Sequence, residues 1–217
     1  MRRELVIIGN SGAARECYWL AQDMIKVGAD FTFKGFLAFE GYEGDLKELS
    51  GYFLGSDDEY TPDTHDVFSI GIGHAELRRR VYSKWKDRGV VFKNLIHPTA
   101  AIQESSSLGE ANIVARDAAI SCNVNVGCCN FINGGVIIGH DVNIGDVNIF
   151  APRSVILSDV TIGANNLFGA QSVVFPGATV GNNNILAAGA FLYKGCRDKN
   201  VMAGNPAHKV GEVTDLN

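Results

Sequence analysis

The chain has 217 residues, 46% hydrophobic and 20% charged, with a formal net charge of −5; that supplies a packed core and no bias toward polyanions. No apolar run approaches the roughly 20 residues that cross a bilayer, so a membrane partner is excluded. The basic cluster Arg78-Arg79-Arg80 lies in a helical pattern and reads as a solvated helix face, which argues against nucleic acid.

Residues 1–95 alternate strand and helix signals. Glu4 to Gly9 is a short apolar run ending in glycine, as in a buried parallel strand, and is too short for a signal peptide. Cys17, Leu20, Ala21, Met24 and Ile25 then recur at helical spacing. Phe31 to Phe39 and Asp66 to Gly73 read as further strands, Ala75 to Arg88 as a helix, and Val90 to Ile96 as a closing strand. Such alternation predicts a small Rossmann-like α/β domain over 1–95. The five cysteines (Cys17, Cys122, Cys128, Cys129 and Cys196) form no Cys-x-x-Cys pair. They read as buried packing residues of a protein in a reducing, cytoplasmic compartment.

From residue 96 the period becomes six. Ile96, Ile102, Leu108, Val114, Ile120, Val126, Ile132, Ile138, Ile144, Phe150, Ile156, Ile162, Phe168, Val174, Val180, Leu186 and Leu192 recur without a slip. Four places after each anchor, from Ala100 to Ala190, only Ala, Ser, Val or Asn occurs. Neither a helix nor a plain strand sustains a period of six. A prism of short parallel strands does, with the large anchor inward and the compact residue in the corner. The expected organisation is therefore a hexapeptide-repeat parallel β-helix over 96–198, followed by a tail over 199–217.

Four segments carry a family resemblance: Val6-Ile-Ile-Gly-Asn-Ser-Gly12; Ser69-Ile-Gly-Ile-Gly73 with Leu77-Arg-Arg-Arg-Val81 and Asn94-Leu-Ile-His-Pro98; Asn133-Gly-Gly-Val-Ile-Ile-Gly-His-Asp141; and Gly204-Asn-Pro-Ala207 in the tail. Together they resemble the left-handed β-helix acyltransferases, in the branch of sialic acid O-acetyltransferases and N-acetyltransferases of UDP-linked amino sugars. The resemblance implies a homotrimer with acetyl-CoA in the groove between neighbouring β-helices. It implies acetyl transfer to the amine of a nucleotide-linked 4-amino-4,6-dideoxy sugar, or alternatively to a hydroxyl of a sialic-acid-type sugar, and no metal.

His140 is the expected base, since an imidazole, with an ordinary pKa of about 6.5, accepts a proton near neutral pH. Asp141 matches a carboxylate that raises the basicity of that histidine, and Asn133 resembles an asparagine close to the acceptor sugar. Ala170 and Ala188 match positions whose backbone binds pantetheine, although corner packing alone would account for both. Ile149 replaces a family histidine near the thioester and is expected to contact acyl-CoA. Gly9, Asn10, Ser11 and Gly12, ahead of a helix, with Gly73, are expected to hold the nucleotide-linked sugar. Two departures concern that nucleotide: Ala13 stands where a histidine is usual, and Leu37-Ala-Phe-Glu40 lacks the usual acidic pair.

Three other readings fit less well. A sugar-phosphate nucleotidyltransferase needs a larger N-terminal domain with a basic triphosphate loop. A zinc hydratase needs three converging histidines, whereas the coils contain His97 and His140. A non-catalytic sugar-nucleotide scaffold is the third.

Overall fold

A computed structural model describes residues 2–39 and 44–214. Glu40, one of the positions noted above, lies outside them. The N-terminal layer is a four-stranded parallel sheet of β1 (Arg3–Ile8), β2 (Phe31–Ala38), β3 (Phe53–Ser56) and β4 (Asp66–Ile70), in the order β3-β2-β1-β4. Helices α1 (Gly12–Lys26) and α2 (Ala75–Asp87) pack on it. Strand order reverses between β1 and β4, and the loops after these two strands meet there. A Cβ at Gly9, which has φ 137°, would collide with the Gly71 carbonyl, so only glycine permits this approach.

Two sequence expectations fail in this layer. Edge strand β3 and the 3₁₀ turn Lys47–Tyr52 before it were not foreseen. The closing strand over Val90 to Ile96 does not form: Phe92 makes a single bridge to Phe68, and Leu95–Ile96 is already the first rung of the coils.

The remaining chain is a three-faced prism. Two-residue rungs repeat every six residues and pair in parallel with the rung 18 positions on, as Phe131 does with Ile149. The first face begins at Leu95–Ile96, the second at Ala101–Ile102 and the third at Ser107–Leu108. The anchors point inward and form one continuous core. Outward residues distinguish the faces. On the first, Leu95, Ile113, Phe131 and Ile149 are buried beneath α1. The third presents Ser107, Asn125, Asn143, Thr161 and Thr179. The second presents Ala101, Ala119, Ile137, Val155, Val173 and Phe191, with Ile137 49% exposed. It is an uncovered apolar strip.

The third-to-first corner is held by an asparagine ladder. The side-chain oxygens of Asn94, Asn112, Asn130, Asn148, Asn166 and Asn184 each accept from the backbone N–H of the next asparagine in the column, ending at Asn200, at 2.8–3.0 Å. Buried amides are stable only when satisfied in this way. Replacing Asn148 with Ala leaves the Asn166 N–H without its acceptor and is expected to cost about 1–3 kcal/mol. A lowered denaturant midpoint would show the loss.

Arg78 corrects the reading of the basic cluster. Arg79 pairs with Glu76 on the surface, but Arg78 is fully buried between the two layers. Its guanidinium donates to the Ile70 and Ile72 carbonyls of the sheet side and to Ala111, Cys129 and Asn130 of the coils. Helical periodicity cannot reveal such a cage, because its acceptors come from distant backbone. The cysteine reading is corrected as well. Cys17 and Cys129 are buried, their thiols pushed up to about 12 and about 11 by burial, but Cys122 is exposed and Cys128 and Cys196 are half-buried.

Candidate active site

His140 follows the Ile137–Ile138 rung, at the corner between the second and third faces, and its side chain is 53% exposed. It stands one coil above Cys122, whose carbonyl accepts from the Asp141 N–H at 3.1 Å. Asp141 has φ 57°, a left-handed corner conformation that Asp tolerates, and this turns its carboxylate back onto the imidazole. His140 Nδ1 and Asp141 Oδ2 are 2.7 Å apart, and Asn123 Nδ2 donates to the other carboxylate oxygen at 3.1 Å. These contacts, His140 first, hold the Asp141 carboxyl below its ordinary range. An ionised Asp141 can only accept, so Nδ1 carries the proton and Nε2 presents its lone pair to solvent. In that form Nε2 can accept a proton.

Asn133, Ala170 and Ala188 lie on a different corner, between the first and second faces. Asn133 follows the Phe131–Ile132 rung and donates from Nδ2 to the Phe150 carbonyl at 2.9 Å. Ala170 and Ala188 stand in the next column, with Arg116, Gly134 and Pro152 below them. Among the described residues, no backbone carbonyl accepts from the amides of Ala170 and Ala188, so a thin ligand along this edge would meet free N–H donors. Ile149 is elsewhere. It is 5% exposed, in the apolar layer beneath α1, so a packing role replaces the acyl-CoA contact expected of it. Within one chain the His140 column and the Ala170–Ala188 column therefore flank the second face instead of meeting.

Gly9, Asn10, Ser11, Gly12 and Gly73 gather at the carboxyl ends of β1 and β4, where open α/β sheets bind ligands. Ser11 is the extended N-cap of α1 and makes no side-chain cap bond, which leaves first-turn amides directed outward. Gly44 packs directly on Asn10, and beside it opens a cavity of about 260 Å³ lined by Asn10, Asp45, Leu46 and Phe53.

Sequence reasoning missed a second polar cluster. His97, 7% exposed, places Nε2 3.2 Å from Asp23 Oδ2 on α1, and the same oxygen accepts from Arg116 Nη2 at 3.2 Å. Hydrogen bonds from Lys26 and His97 lower the Asp23 carboxyl to about 2. The cluster borders a cavity of about 340 Å³ between α1 and the coils, walled by Trp19, Leu20, Phe131 and Asn133. His97 was noted as part of the segment Asn94 to Pro98 and as one of two coil histidines, with no partner assigned, and nothing in the helical pattern marks Asp23. Among the described residues, no group of three or more His, Cys, Asp or Glu could hold a metal ion, and no helix is long and apolar enough to cross a membrane.

No protein-family model matches the sequence, and no curated protein matches it. Solved structures do. A perosamine N-acetyltransferase from Caulobacter crescentus, a histidine-to-asparagine mutant in complex with CoA and GDP-perosamine, matches with a TM-score of 0.82 at 25% identity, over 96% of this chain and 97% of that one. The acetyltransferase domain of PglB from Neisseria gonorrhoeae, in complex with acetyl coenzyme A, gives 0.85 at 20% identity over 97% and 100%. WeeI from Acinetobacter baumannii gives 0.83 at 22% over 96% and 100%. The latter two speak for the fold, and the first carries the likeness further. An α/β layer seated on an unbroken hexapeptide prism, matched along nearly its whole length by a sugar N-acetyltransferase, gives this chain the fold of the left-handed β-helix acyltransferases and supports an acyltransferase.

Proposed function

We infer that the chain transfers an acetyl group from acetyl-CoA to the amino group of a nucleotide-linked sugar, with His140 as the general base. One observation carries this reading: a half-exposed imidazole whose Nδ1 is fixed by Asp141, on a prism that otherwise presents no histidine outside the α1 cavity and the tail. Nε2 takes the proton from the acceptor amine as nitrogen attacks the thioester carbon, and the CoA thiolate leaves. The bound thioester supplies the activated acyl group. The chain's own part is to align the two reactants and receive that proton. The uncommitted amides along the Ala170–Ala188 edge would hold pantetheine and are placed to stabilise the oxyanion.

The two edges must meet for this to work, and the uncovered second face supplies the means. An apolar strip on a soluble protein is normally an interface. Packing it around a threefold axis would bring the His140 edge of one protomer against the Ala170–Ala188 edge of the next. A homotrimer is thus the working unit. The expected nucleotide site at Gly9–Gly12 and Gly73 keeps the handle of the substrate on the α/β layer. Five free cysteines suit a reducing, cytoplasmic setting.

The test is acetyl-CoA consumption against nucleotide-linked 4-amino-4,6-dideoxy sugars, with sialic-type sugars as the hydroxyl arm. Turnover with the amines supports this reading, and turnover confined to hydroxyl acceptors moves it to O-acetylation. Absence of turnover across the panel leaves the scaffold reading in its place. Within an active enzyme, Asp141→Asn is expected to reduce kcat about tenfold with little change in KM for the acceptor. Unchanged steady-state rates would remove Asp141 from the mechanism.

A further inference from the structure

The first-to-second corner carries two cations for which acetyl transfer has no use. In the third coil this corner is Gly134-Gly135. Arg116 lies one coil below and Arg153 just above, and with Asp117 and the two glycines they line a surface cleft of about 350 Å³. Thr99 Oγ1 donates to the Asp117 carboxylate at 2.7 Å, so that charge is engaged toward the base of the coils. Arg116 and Gly134 also line the cavity under α1, so the two hollows meet at one corner beside Asn133. The paired glycines put no side chain between the guanidiniums. A Cβ at Gly135 would come within 3.2 Å of Arg153 Cγ.

The arginines themselves are available. Arg116 is 65% exposed and shares one nitrogen with Asp23, and Arg153 forms no ion pair among the described residues. Arg153 also has φ 60°, a conformation in which Asn and Asp are at home; other corners of the prism fill it with Asp117, Asn123, Asp141, Asp159, Asn165 and Asn183, and also with Ala111, Cys129, Val147 and Gln171. Backbone fit therefore does not explain an arginine there. Two guanidiniums opening on a shared hollow suit an anion that accepts forked hydrogen bonds, a carboxylate or a phosphate.

We propose that Arg116 and Arg153 form an anion clamp that holds a negatively charged group of the acceptor, either a sugar carboxylate or the diphosphate of its nucleotide. The proposal rests on the acetyl-transfer reading of this edge, which also excludes the donor as the source of the charge. Pantetheine laid over Ala170 and Ala188 leads upward from the third coil. Ala188 stands three coils above Gly134, about 14 Å at the spacing of hydrogen-bonded strands. On that course the phosphates of CoA would lie beyond it, away from the clamp.

Binding tests this separately from catalysis. Trp19, 52% exposed, lines the cavity under α1 that adjoins the cleft at Arg116 and Gly134, whereas Trp85 is fully buried, so a fluorescence titration reports on that corner. Wild type, Arg153→Asn and Arg116→Gln would be titrated with UDP, UDP-glucose, UDP-glucuronate and CoA. Asparagine suits the φ of position 153, and Arg116 loses one surface ion pair, so both variants should fold. Each is expected to weaken acceptor-side ligands about tenfold, as loss of a charge-assisted forked contact does, with CoA affinity unchanged. Equal loss for UDP-glucose and UDP-glucuronate assigns the clamp to the diphosphate, and loss confined to UDP-glucuronate assigns it to a carboxylate. Unaltered affinities, a loss for CoA instead, or no binding of any nucleotide to wild type overturns the clamp. Anion binding that depends on the arginines, in a protein inactive with acetyl-CoA, would keep the clamp and overturn the acetyl-transfer reading.

Discussion

Replacing His140 with Ala is expected to lower kcat by about two orders of magnitude or more, the usual loss when a positioned general base is removed. Folding and assembly should survive. The imidazole is 53% exposed and, among the described residues, is bonded to Asp141 alone and lies outside the prism core. Position 140 also lies outside the apolar strip of the second face, so an assembly built on that strip keeps its contacts. KM for acetyl-CoA should hold, because the donor's expected contacts are backbone amides on another edge. The measurement is steady-state turnover together with the sedimentation of the same preparation. Near-normal turnover in the variant, with mass unchanged, would remove His140 from the chemistry and leave the proton to another group. Loss of mass along with rate would instead mean that the imidazole itself holds the assembly together.

The prism was legible because each hexapeptide has one inward position that only a large apolar residue fills, so geometry repeats directly as letters. Its corners were half legible. The recurrence of asparagine at Asn112, Asn130, Asn148, Asn166 and Asn184 stands in the sequence, but which group each one bonds depends on coils stacking 18 residues apart. His140, Asp141 and Asn133 could be singled out by motif. That His140 and Asn133 lie on opposite edges of one face could not, since a repeat of six does not say which corner faces a neighbour. Ile149 misled for a related reason. Its outward position is the same on every face, and only the docking of α1 turns that one outward side chain into core. Edge strand β3 has a short pattern of half-exposed residues, Phe53 to Ser56, without alternation to betray it. The bond between His97 and Asp23 spans 74 positions and links two layers. No local pattern records it.

Arg78→Met is expected to destabilise the fold by about 3–5 kcal/mol, as removal of one side of a buried charged network does. The guanidinium has no carboxylate partner among the described residues, and backbone carbonyls accept its hydrogen bonds. It donates at 2.8 Å to Cys129 and 3.0 Å to Ala111 on the coils, with Ile70 and Ile72 accepting from the sheet side, and lies 5.5 Å from the Phe131 ring. Methionine fills most of the volume but leaves those carbonyls buried without donors, which costs more than the lost attraction alone. Lysine would keep the charge yet can reach fewer of them, because its three donors radiate from one atom instead of spreading along a planar fork. Arg78→Lys should therefore recover only part of the loss. The damage should also be directional. The prism retains its own core and its asparagine ladder, whereas the α/β layer loses a fully buried side chain that bonds it to two successive coils. In a denaturant titration Trp85, fully buried on α2, should report a midpoint shifted well below that of the β-sheet signal in circular dichroism. Coincident, unshifted transitions in the methionine variant would mean that the remaining contacts join the layers and that the carbonyl cage contributes nothing to holding them.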